Sequence, residues 1–112
     1  MNGMSEKQIS YAADTQEKLL AEVEKISHYY DSDPEYAIEA RMACDRAADI
    51  IRGFTDASQV LDLGWKVVSE LETICTSFAP DRGYGYEFMI NKKSRRFPIL
   101  SGNADAAFYS AN

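Results

Sequence analysis

Three groups of residues in this chain have the types from which chemistry is built. His28, the single histidine, follows Glu24 by four residues and precedes Asp31 by three. A histidine between carboxylates could serve as a general base with its orienting acid, or as part of a metal site. Its place at a helix end beside Tyr29 and Tyr30 equally suits a structural or merely exposed side chain, and that reading is favoured. The second group is Cys44 and Cys75, which fall within two different expected helices. Their spacing is not that of a zinc site. They read as reduced core thiols acting as small hydrophobes, with an interhelical disulfide as the alternative suited to an oxidising compartment. The third group is Lys92, Lys93, Arg95 and Arg96, with Tyr84 and Tyr86 shortly before. Cations beside aromatic rings could hold phosphate and stack a base, or anchor an acidic protein.

Signals of catalysis are otherwise weak. No serine lies in a G-x-S-x-G elbow. Gly83-Tyr84-Gly85 lacks the further glycine or lysine of a phosphate loop. Paired carboxylates fall on helix faces expected to be solvated. The chain therefore reads as a non-enzyme, with no cofactor and no metal.

The elements that must position these groups follow from periodicity. Ile9, Ala12, Gln16, Leu19, Leu20, Val23, Ile26 and Tyr30 recur at three- and four-residue steps and predict a first helix. It starts between Ser5 and Thr15, with Asp14 and Glu17 in the form of a capping box, and Gln16 is the polar exception on its face. Asp31-Ser32-Asp33-Pro34-Glu35 marks a stop and restart: Asp33 as N-cap, Pro34 at the first helical position, Glu35 complementing the helix dipole. The second helix runs to Arg52, with Gly53 at its end. Its seam is Ala37, Ala40, Cys44, Ala47, Ile51 and Phe54. Side chains this small allow close approach, to the first helix or to a second copy in a homodimer through the Ala-rich segment 37–54.

Thr55 or Asp56, with Gln59, caps a third helix. Val60, Gly64, Val67, Leu71, Ile74 and Phe78 form one stripe on it, and Leu61, Val68 and Cys75 an adjacent one. Gly64 costs about 1 kcal/mol relative to alanine inside a helix, so it marks a close crossing. Ala79-Pro80 ends the helix. From Arg82 the period changes to two. Tyr84, Tyr86, Phe88 and Ile90 share a strand face, Asn91 to Ser94 make a turn, and Arg95 to Leu100 return with Phe97 and Ile99 on one face. Pro98 makes that return an edge strand.

The fold expected is mainly α: a three-helix antiparallel bundle, about residues 10–79, with a C-terminal β-hairpin, about 83–100, and a loose tail, 101–112. One domain of 112 residues fits this length and can bury a modest core.

Charge narrows the partners. The net charge is −6. Residues 1–80 carry 15 acids against 7 bases, whereas 81–112 carry 3 against 5. Three helices and a hairpin are also the order of a winged helix-turn-helix. The third helix, however, shows Asp56, Asp62, Glu70 and Glu72 against Lys66 on its expected outer face, and phosphate would repel it. No apolar run reaches membrane-spanning length, and the polar N-terminus lacks the pattern of a signal peptide. A cytoplasmic interaction protein is expected, an adaptor or inhibitor with an unidentified protein partner. By analogy of class it is comparable to acidic accessory proteins of phages and mobile elements. Its candidate surfaces are an acidic helical face including Asp45, Asp49 and Asp62, and the hairpin residues Tyr84, Tyr86, Lys92, Lys93, Arg95 and Arg96. The alternative is nucleic-acid or nucleotide binding through the basic hairpin.

Overall fold

The computed structural model describes residues 6–76 and 97–102. They form three helices, α1 (Glu6–Ser27), α2 (Pro34–Arg52) and α3 (Ala57–Thr76), together with a short turn at 97–102. Each helix packs against both others. Contacts set their directions. Leu19 faces Gly64, and the Tyr30 hydroxyl donates to the Cys75 carbonyl, so α1 and α3 share one register and run parallel. Gln16 bonds Ile51, whereas Ser27 and His28 lie opposite Arg41, so α2 runs antiparallel to α1. No described helix is long and apolar enough to cross a membrane.

The core follows the expected stripes. Leu19, Val23 and Ile26 of α1, Ala40, Ala43, Cys44, Ala47 and Ile51 of α2, and Val60, Val67, Leu71, Ile74 and Cys75 of α3 are all buried in one cluster. The alanine seam of α2 is thus occupied by its own chain, with α2 seated against both neighbours. Gly64 does provide a close crossing: a Cβ there would overlap Leu19 Cδ1.

The helix ends depart from expectation in instructive ways. Asp14 and Glu17 are not a capping box, because α1 begins eight residues earlier, at Glu6, and passes straight through them. Gln16 belongs on the inner face because its Nε2 donates to the Ile51 carbonyl at 2.8 Å. That carbonyl lies in the last turn of α2, where intrahelical partners run out. Asp33 occupies the N-cap before Pro34, yet its side chain makes no cap hydrogen bond. Its carbonyl instead accepts from Tyr36 and Ala37, each at 3.1 Å. At α3 half of the box forms: Asp56 Oδ1 accepts from the Gln59 N–H at 2.9 Å, but Gln59 Oε1 reaches one residue further back and accepts from the Thr55 N–H at 2.7 Å. Hydrogen bonds from Ser58 and Gln59 hold the Asp56 carboxyl below its ordinary pKa.

Residues 97–100, expected as the end of a returning strand, form a turn. Phe97 and Leu100, three apart, are buried in the core. Pro98 suits this turn, since its fixed φ favours a turn start and it has no N–H to leave unpaired. The Glu70 carboxylate accepts the Ile99 and Leu100 N–H groups, both at 3.0 Å, while Arg46 Nε donates to the Leu100 carbonyl at 3.2 Å. Gly102 closes the turn at φ +69°, a conformation glycine adopts freely. The rest of the expected hairpin, residues 83–96, and the tail beyond Gly102 lie outside the described residues.

Candidate functional site

Two adjoining features of α2 concentrate functional side chains. The first is an open groove of 340 Å³ between α1 and α2. Leu20 and Val23 from α1 and Cys44 and Ala48 from α2 make its apolar lining, while Glu24, His28, Arg41, Asp45 and Arg52 supply charge. The small size of Ala48 and Cys44 leaves the space. The polar side chains opposite them cannot be buried dry without partners, which keeps the groove open to water.

His28 sits at one end of this groove with both ring nitrogens engaged. Nδ1 is 2.6 Å from Asp31 Oδ2, and Nε2 is 3.0 Å from Glu24 Oε1. The hydrogen bonds it donates to Asp31 and then Glu24 raise its pKa above 6.5. The sequence placed these three residues together, and the structure does so as well. The arrangement favours an imidazolium with both protons committed, which is a poor general base. Asp31 also approaches Arg41 at 3.9 Å. These groups are largely exposed, where ion pairs contribute little to stability. No group of metal-ligating side chains is present among the described residues.

The two thiols, 31 positions apart in sequence, fall in the same buried core cluster. Both are free thiols and both are buried. Burial disfavours the charged form of each and pushes the Cys75 thiol up. Each lies on the apolar stripe of its own helix, as expected of a small core hydrophobe.

The second feature is the outer face of α2. Ile38, Met42, Asp45 and Asp49 follow steps of four, three and four, and therefore form one stripe. All are exposed, Ile38 at 70% and Met42 at 37%. Asp45 borders the groove, and Asp49 lies 3.8 Å from Arg52. Asp62 is exposed on α3 near Trp65 and is not part of this stripe. Glu70, expected on the outer face of α3, is turned to the 97–102 turn. Tyr84, Tyr86, Lys92, Lys93, Arg95 and Arg96 lie outside the described residues. Ile38 and Met42 were missed as site residues. Their signal was legible as two large apolar side chains one turn apart, off the alanine seam.

No family model matches the chain, and no curated protein or solved structure shows significant similarity to it.

Proposed function

We propose that the protein is a non-enzymatic interaction protein, an adaptor or inhibitor, that docks a basic partner on the outer face of α2. The observation that carries this reading is the exposed Ile38–Met42–Asp45–Asp49 stripe. Apolar side chains at one end supply area to bury, and carboxylates at the other select the sign of the partner. The acidic balance of residues 1–80 extends that selection over the surrounding surface. A second copy of the chain binding through α2 would have to use this outer face, because the alanine seam is already filled.

The test is a pull-down from lysate of the source cell, at low and moderate salt, with the native protein and with Asp45→Lys/Asp49→Lys. A stoichiometric protein that persists at moderate salt should fall at least about tenfold with the double variant, the loss of roughly 1.4 kcal/mol or more. Equal capture by both would sink the proposal. Nucleic acid retained only at low salt would move the function to the basic segment Lys92–Arg96, since phosphate binding weakens steeply with salt.

A further inference from the structure

The turn at 97–102 is held on the helices as a bound peptide is held. Phe97 and Leu100 enter the core cluster, while Pro98, Ile99 and Ser101 stay half-buried and Gly102 is exposed. Side chains of two helices satisfy its backbone. The Glu70 carboxylate of α3 accepts the Ile99 and Leu100 N–H groups, both at 3.0 Å, and Arg46 of α2 donates to the Leu100 carbonyl at 3.2 Å. We propose that Glu70, Arg46 and the apolar seat beside them form a peptide-binding site for a short segment of apolar-Pro-x-apolar pattern. Residues 97–102 occupy this site in cis, and a partner carrying such a segment binds by displacing them. The proposal is independent of the docking stripe on α2.

Three observations carry it. The turn holds its own shape: the Ser101 N–H donates to the Phe97 carbonyl at 2.8 Å, and the Gly102 N–H to the Ile99 carbonyl at 3.2 Å. Pro98 fixes φ near the start. A free peptide with these residues therefore loses less freedom on binding than an unstructured one.

The site also reads backbone and pattern together. The Leu100 N–H goes to α3 and its carbonyl to α2, so charge-assisted hydrogen bonds set the direction of the segment across the two helices. Proline at the second position has no N–H to leave unpaired, and the side chains at the first and fourth positions supply the apolar area. Finally, the helices meet without the turn, since each packs directly against both others. Release of the turn uncovers the seat while those contacts remain. The tether sets the threshold for displacement: an attached segment acts at an effective concentration on the order of millimolar.

Native-state hydrogen exchange of the full chain tests release. The Ile99 and Leu100 amides should have protection factors at least about tenfold below those of Val67 and Leu71 in α3, because the turn opens while the helices stay folded. Equal protection would mean that the turn leaves only on global unfolding, and it overturns the proposal. Amide chemical-shift titration with a capped peptide of residues 97–102 tests recognition. Full-length Phe97→Ala, whose own segment has lost an anchor, should bind the peptide at least about tenfold more tightly than the native protein. Adding Glu70→Ala to that variant should weaken the binding at least about tenfold. A folded Phe97→Ala that binds no better than the native protein, or binding indifferent to Glu70, also overturns the proposal. Should Phe97→Ala fail to fold, the exchange result on the native protein decides.

Discussion

Helix α1 meets its two neighbours in opposite ways. Toward α3 the contact is closed: Leu19 fills the notch left by Gly64, and Tyr30 reaches across to the Cys75 carbonyl. Toward α2 the contact is open, with Gln16 bonding Ile51 and a 340 Å³ groove running alongside. Both contacts use small residues. The difference is what stands opposite them. Gly64 meets a large apolar side chain that interlocks with it, while Ala48 and Cys44 meet a mixture that includes Glu24 and Ser27. A small residue thus draws helices together only when its partner fills the space, and otherwise it leaves a site.

The sharpest way to break this comparison is at the closed contact. Leu19→Ala should cost about 3 kcal/mol from lost burial and the cavity left behind. Gly64→Ala should cost about 1–2 kcal/mol, because overlap with Leu19 outweighs the gain in helix propensity. Combined, the two should cost less than their sum, since Leu19→Ala removes the atom that the methyl added at Gly64 would strike. Urea titration of all three variants measures this. Strict additivity would show that Gly64 is not there for Leu19.

At the open contact the same kind of enlargement should be tolerated. Ala48→Met adds volume where the groove has room and should change stability by less than about 0.5 kcal/mol. A loss comparable to that of Gly64→Ala would mean that the groove is closed in solution.

The smallest effect concerns the groove's charged end. The folded pKa of His28 is raised by Asp31 and Glu24. A group raised on folding contributes its stability fully below the unfolded value of 6.5 and loses it as pH rises through the folded pKa. A proton NMR titration of the imidazole should therefore give a midpoint above 6.5, returning toward that value in Asp31→Asn. A midpoint at or below 6.5 in the native protein would show that these contacts do not hold in solution.

How far the sequence could be read depended on the range of the forces involved. The Asp31–Pro34 break, Gly53 and the three apolar stripes were legible because caps, proline and periodicity act within a few residues. Asp14 and Glu17 misled because a capping-box pattern is also an ordinary pair on an exposed helix face. Phe97 to Leu100 misled because a four-residue segment satisfies two periods at once: Phe97 and Ile99 alternate as in a strand, whereas Phe97 and Leu100 are spaced for a turn. Glu70 decided between them by giving its carboxylate to the Ile99 and Leu100 N–H groups, 29 and 30 residues away.

The sequence by itself determined the three helices, the inner face of each and the acidic balance of the helical part, since these depend on local spacing and on residue type. Only the tertiary structure decided that Cys44 lines the α1–α2 groove while Cys75 is enclosed, that Glu70 and Arg46 hold the 97–102 turn, and that Ile38, Met42, Asp45 and Asp49 remain uncovered on α2. Those outcomes depend on helix register and on which surfaces the neighbouring helices leave free, and both are set by packing between residues far apart in the chain.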